Sequence, residues 1–228
     1  CGQNLRLRRD CMCGYEFTRR PPWSSLALLS QALFARGLKF VGLCRSSISH
    51  VDVEAATRHR VLVVNTPARN TQGVAEHAIG FMICLARRIP MTDQYVRTGQ
   101  WQNPVEPYMS MRGVELGGRT LGVIGFGSIG RRLTQIARAL RMKILTYDPF
   151  VESVPEDVML VDLDTLMSNS DFVSVHVPYS DQSKGLVDNR RIELMKPTAY
   201  IVNLSAASII DEDALVSALL QKRIAGAA

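Results

Sequence analysis

Short apolar runs alternate along this chain with longer stretches in which apolar residues return every three or four positions. The runs cover residues 38–43, 61–64, 121–124, 143–147, 158–161, 171–177 and 199–203, and another opens at 224–228. Each is one strand long. The unbroken run at 61–64 predicts a strand buried on both faces. The periodic stretches predict helices over 26–36, 53–59, 73–89, 129–140, 162–167, 188–195 and 211–221. Asp52 and Asp211 suit N-cap positions, Asn70 or Thr71 can cap the helix over 73–89, and Gly37, Pro67 and Pro197 interrupt the pattern. Residues 91–118 read as a short helix and a loop, and residues 1–25, with no sustained period, as disordered or non-native. Strands separated by helices imply an α/β fold with a parallel sheet and right-handed crossovers. The helix over 73–89 is apolar on more than one stripe, so it needs partners on more than one side. A domain crossover and a subunit interface both meet that need.

Composition removes alternatives. No apolar run approaches the roughly 20 residues of a membrane span, so no transmembrane helix is expected, and the N-terminus lacks the apolar core of a signal peptide. The net charge of +6 raises nucleic acid as a partner, but the arginines are scattered and no aromatic residues interleave with them. Arg6, Arg8, Arg9, Arg19 and Arg20 read as a solvated basic tail. Five cysteines do not make a disulfide framework, and Cys11 and Cys13 have no partner pair that would complete a metal site. Cys44 and Cys84 lie in apolar runs and read as buried thiols, which points to a reducing, cytoplasmic setting.

The chemistry concentrates between Thr120 and Asp148. A strand-like run leads into Gly125, Gly127 and Gly130, spaced G-x-G-x-x-G; a helical pattern follows, then a second strand-like run ending at Asp148. This is a dinucleotide-binding β-α-β unit of the Rossmann type, and each residue type has a physical task. Gly125 permits the tight turn, Gly127 lets backbone approach a pyrophosphate, and Gly130 lets helix and strand pack closely. The helix N-terminus offers N–H groups and partial positive charge to the phosphates. Asp148 would accept hydrogen bonds from the adenosine ribose and repel a 2′-phosphate, favouring NAD over NADP.

The stretches HVDVEAATRHRVLVVNTPARN with VAEH (residues 50–77), GVELGGRTLGVIGFGSIG, DFVSVHVPYSDQSKGLV and LMKPTAYIVN with IIDEDAL resemble the D-isomer-specific 2-hydroxyacid dehydrogenase family, which includes D-3-phosphoglycerate dehydrogenase. The resemblance runs from about Leu38 to Ala228 and implies a doubly wound parallel sheet with a second, incomplete α/β substrate domain. It divides the chain into a partial substrate domain with linker helix (26–89) and an NAD-binding Rossmann domain (90–228) truncated before its last strands, with the chain partial at both ends. It implies hydride transfer between NAD and a small anionic 2-hydroxy or 2-keto acid, and a homodimer through the helix over 73–89. By resemblance, Ser128 and Ile129 lie at the pyrophosphate, His176, Val177 and Pro178 line the cofactor, and Leu204 and Ser205 lie near the nicotinamide. Arg45, Ser46 and Ser47 match the loop whose backbone holds the substrate carboxylate. His77 reads as a packing residue, and His50 and His59 as loop and surface positions.

One departure is visible. Hydride transfer needs a proton carrier and a cation to hold the substrate carboxylate, for which Arg's planar fork is suited. In the family that Arg stands two residues beyond the position of Leu204, where this chain has Ala206, followed by Ala207 and Ser208 where glycines are usual. The family's catalytic Glu and His lie downstream of the AGAA stretch, so no catalytic residue is assigned here. The sequence therefore supports a dehydrogenase, with two alternatives: a catalytically inactive NAD-binding protein of sensor or corepressor type, or a degenerate fragment.

Overall fold

The computed structural model describes Phe34, Ile48 and residues 36–45 and 51–228. The expected disorder of residues 1–25, nearly all of the helix over 26–36, and the positions of Ser46, Ser47 and His50 fall outside the described residues. The chain divides into two compact units between Arg69 and Asn70.

The first unit is small. β1 (Phe40–Leu43) pairs in parallel with β2 (Leu62–Asn65), and α1 (Val53–Arg58) crosses between them. Asp52 caps α1, its carboxylate accepting from the Ala55 N–H at 2.8 Å. Phe34, Val41, Val51, Ala55, Ala56 and Val61 form the core on one face of the sheet. On the other, Phe40, Leu62 and Val64 are exposed. The expectation that residues 61–64 are buried on both faces is therefore corrected: β2 alternates between exposed and half-buried positions. Among the described residues, α1 and Phe34 cover one face of these two strands and leave the other open. Cys44, at the end of β1, is likewise exposed rather than buried, and Cys84 is half-buried; both are free thiols.

The second unit opens with α2 (Thr71–Arg87). Grouped with the first segment on sequence grounds, this helix packs with the second unit, where Ala75, Ala78 and Met82 enter its core. It stops at Arg88, which turns into the left-handed region (φ 54°) and lets α3 (Ile89–Arg97) set off with Pro90 in its first turn. After α4 (Val105–Ser110) the alternation begins: β3 (Thr120–Ile124), α5 (Ser128–Ala139), β4 (Lys143–Tyr147), β5 (Val158–Leu160), α6 (Leu163–Asn169), β6 (Phe172–Val175), α7 (Asn189–Leu194), β7 (Tyr200–Asn203), α8 (Glu212–Leu220) and β8 (Gly226–Ala227). The strands form one parallel sheet in the order β5-β4-β3-β6-β7-β8. Asp162, Asp188 and Asp211 cap α6, α7 and α8 through their carboxylates.

Both faces of this sheet are buried, and the period of two along each strand divides the side chains between them. Leu121, Val123, Phe172 and Val202 meet α2 and α5 on one face. Ile124, Val173, Val175 and Ile201 meet α6, α7 and α8 on the other. No helix of the described residues is long and apolar enough to cross a membrane.

Candidate functional site

The order of strands reverses direction at β3, with β4 on one side and β6 on the other, both reached by crossovers from opposite faces. Loops at the carboxyl ends of β3, β4, β6 and β7 therefore gather at a crevice, the place where open α/β sheets take ligands.

The three glycines of the first loop divide by cause. Gly125 has φ +93°, and a Cβ there would lie 2.8 Å from the carbonyl oxygen of His176. A Cβ on Gly130 would lie 2.1 Å from the carbonyl oxygen of Gly125. The fold itself forbids side chains at both positions. Gly127 differs. Its φ of −73° is open to any residue, and a Cβ there would meet nothing within 4 Å. Nothing among the described residues requires a glycine at this position, and the space before it is open to a ligand. Gly127 is also the N-cap of α5 and carries no side chain to satisfy the helix, whose first-turn N–H groups at Ser128 and Ile129 have no helical acceptor. Asp162, Asp188 and Asp211 satisfy that need on α6, α7 and α8; at α5 it is left to whatever binds.

Asp148 follows β4. Its Oδ2 accepts from the Phe126 N–H at 2.8 Å and its Oδ1 from the Phe150 N–H at 2.9 Å. The carboxylate thus ties the glycine loop to the end of the next strand. An ionised carboxylate has about four acceptor sites, so two remain for hydroxyl groups of a ligand. The link to Phe126 was not legible in the sequence. That ring is buried, with the Arg131 guanidinium 4.7 Å from its centroid.

His176 ends β6. Its N–H donates to the Ile124 carbonyl at 2.8 Å, and its Nε2 meets the Ser174 hydroxyl at 2.8 Å. Burial pushes its pKa down to about 4, so the ring is neutral at pH 7. Val177 and Pro178 follow, and the Pro178 carbonyl accepts from the Ser183 hydroxyl at 2.8 Å. Beyond β7, Asn203 organises the next loop: its Oδ1 accepts from the Ser205 N–H at 2.9 Å and its Nδ2 donates to the Ala206 carbonyl at 3.1 Å. The Ser205 hydroxyl donates to the Val175 carbonyl at 3.1 Å, which fixes this loop to β6. The Ala206 methyl is half-buried against an apolar cluster.

Gly125, Gly127, Ser128, Ile129, Gly130, Asp148, His176, Val177, Pro178, Leu204 and Ser205 thus all sit on loops or helix starts at one end of a single sheet. Of the residues expected to hold substrate, Arg45 lies exposed in the first unit, in the loop after β1, where its carbonyl accepts from the Thr66 N–H at 3.2 Å. Ser46 and Ser47 lie outside the described residues. His77 is exposed on α2, edge-on to the Phe81 ring at 4.4 Å. Among the described residues, no group of three or more His, Cys, Asp or Glu side chains is placed to hold a metal ion. Phe126 and Ser174 are the site residues sequence reasoning missed. For Ser174 a signal existed, since it is the one polar residue inside the apolar run FVSV.

Residues 79–228 match the family model described as "D-isomer specific 2-hydroxyacid dehydrogenase, NAD binding domain". The chain is 41% identical over 194 residues to a D-3-phosphoglycerate dehydrogenase of Synechocystis sp., an alignment covering 84% of this chain and 34% of that one. It is 38% identical over 198 residues to a glyoxylate reductase of Thermofilum pendens, covering 85% of this chain and 58% of the relative. The fold superposes on the apo-structure of D-lactate dehydrogenase from Escherichia coli with a TM-score of 0.74 and 33% identity, covering 86% of this chain and 63% of that one. The chain therefore spans about a third to three fifths of the length of these relatives.

Proposed function

This chain belongs to the D-isomer-specific 2-hydroxyacid dehydrogenase family, its second unit being the family's NAD-binding domain, and we propose that it acts in hydride transfer between NAD and a small anionic 2-hydroxy or 2-keto acid. The observation that carries the reading is Gly127, a glycine that faces open space at the N-terminus of an uncapped helix, where a pyrophosphate needs close backbone approach. The N–H groups of Ser128 and Ile129 would hold the phosphates. Asp148 would use its two remaining acceptor sites on the adenosine ribose, favouring NAD over its 2′-phosphorylated form. Val177, Pro178 and the neutral His176 would flank the cofactor, with Leu204 and Ser205 near its reacting end. NAD, when bound, supplies the hydride acceptor. Arg45, Ser46 and Ser47 would take the substrate carboxylate.

In the same proposal the protein is a homodimer through α2, in a cytoplasmic setting. The large apolar side chains exposed on α3, α4 and their connection (Met91, Val96, Trp101, Val105, Tyr108 and Met109) support a second copy near the end of α2. The free thiols of Cys44 and Cys84 support the setting.

The experiment is a fluorescence titration of the chain with NADH, alongside Asp148→Ala. Saturable binding weakened about 10- to 100-fold in the variant supports the reading, since a lost charge-assisted contact is worth about 1.5–3 kcal/mol. No binding in a sample folded by circular dichroism refutes it. Ala206 favours a second reading, a cofactor-binding protein without turnover, because a methyl group stands where the family places its carboxylate-binding cation. NADH binding with no consumption of NADH against a panel of 2-keto acids would select that reading.

A further inference from the structure

Ser174 is fully buried in the middle of β6, between Val173 and Val175, which are also fully buried. A hydroxyl in such a place needs a partner, and its one side-chain hydrogen bond among the described residues is to His176 Nε2 at 2.8 Å. The pair follows from strand geometry, because residues two apart share a face. The direction of the bond follows from what each group loses if unpaired. A buried hydroxyl proton without an acceptor is costly, whereas an oxygen lone pair left idle costs less. The hydroxyl therefore donates to Nε2. Because the ring is neutral, its single proton then sits on Nδ1. Nδ1 has no hydrogen-bond partner among the described residues. The same residue's carbonyl borders Gly125, 2.8 Å from where a Cβ there would lie, so His176 stands beside the glycine loop.

We infer that Ser174 is a positioning residue: it locks His176 in the Nδ1–H form and so makes the free edge of the ring a hydrogen-bond donor to an oxygen of the bound dinucleotide. This rests on the dinucleotide reading above. The acceptor is a ribose hydroxyl or a pyrophosphate oxygen, either of which can accept from an imidazole N–H. A Val or Ala at position 174 would pack as well but would leave the ring free to take either tautomer.

The test is long-range nitrogen–proton NMR of the imidazoles in the 228-residue chain, with and without NADH, His176→Gln supplying the assignment. The expected wild-type result is a protonated Nδ1 and an unprotonated Nε2, with the Nδ1 resonance shifting on NADH addition. Ser174→Ala is expected to mix the tautomers and weaken NADH binding about fivefold, the loss of one neutral hydrogen bond. Ser174→Thr, which keeps the hydroxyl, is expected to restore both. A proton found on Nε2 in the wild type overturns the inference, even if Ser174→Ala does not fold. An Nδ1 resonance unmoved by NADH, in a chain whose NADH binding is weakened by Asp148→Ala, overturns it while leaving the dinucleotide reading intact. A wild-type chain that binds no NADH overturns both.

Discussion

Two apolar runs of similar composition, LVVN in β2 and YIVN in β7, end in very different surroundings. In β7 the central Ile201 and Val202 are fully buried, one on each face. In β2 Leu62 is 60% exposed and Val64 41% exposed. Intrinsic strand preference is the same, so the difference is what covers each sheet. The six-stranded sheet has helices on both faces; among the described residues, the two-stranded sheet is covered on one, by α1 and Phe34. An unbroken apolar run thus reports that a strand could be buried twice, not that it is. The contrast also separates two kinds of stability. The second unit carries two core clusters, one on each face of its sheet. The first has, among the described residues, one small cluster around Ala55, Ala56 and Val41.

The sharpest way to break that comparison is to truncate the same side chain in both units. Phe172, fully buried and stacked 5.2 Å from Tyr200, should cost the second unit about 3–5 kcal/mol as Phe172→Ala, read from urea unfolding. Phe40→Ala, at a site 53% exposed, should change stability by less than about 0.5 kcal/mol. Similar losses in the two variants would mean that β1 is covered as well as β6 is.

Next in size is Gly130→Ala. Its new methyl meets the Gly125 carbonyl at the helix–strand contact, and overpacking of this kind costs about 1–3 kcal/mol. Both urea stability and NADH binding should fall. A variant as stable as the parent would show that α5 can move off β3 at little cost.

Asp171→Asn should have a smaller effect. Burial alone would raise the Asp171 pKa, but the Thr120 N–H at 2.8 Å and the Lys196 ammonium at 3.0 Å outweigh it and hold the carboxyl below its ordinary value. A depressed folded-state pKa contributes stability that is present above the unfolded value, near 3.8, and is lost as the pH falls through the folded one. The variant should therefore be less stable at pH 7 by about 1 kcal/mol or less, Lys196 being partly exposed, and should lose less on acidification below about pH 4. Parallel acid limbs for the two proteins would contradict this account of Asp171.

Much of the second unit was legible because its signals are local. The glycine spacing, the apolar runs and the capping Asp211 each depend on near neighbours in sequence. The end of α2 was less so: Arg88 takes a left-handed conformation without being Gly or Asn, so no residue type marks the stop. The Asp148–Phe126 bond joins residues 22 apart, and no spacing rule announces it. Exposure on β2 was misjudged because a run of apolar residues does not say how many helices cover it. The glycines hold the subtlest lesson. One motif contains Gly125 and Gly130, required by packing, and Gly127, required by nothing among the described residues.

Gly127→Ala is therefore the most direct test of the site. Its φ of −73° suits alanine and its Cβ meets no atom of the described residues within 4 Å; the entropy alanine saves in the unfolded chain offsets its poorer fit to an N-cap, so the urea midpoint should stay close to that of the parent. NADH titration of the same sample should show affinity reduced by a factor of about 10 or more, the methyl filling the space that backbone leaves for the pyrophosphate. Unchanged stability with lost binding is the predicted result. Unchanged stability with unchanged binding would mean that no dinucleotide phosphate rests on this helix, and the assignment of the crevice would fall.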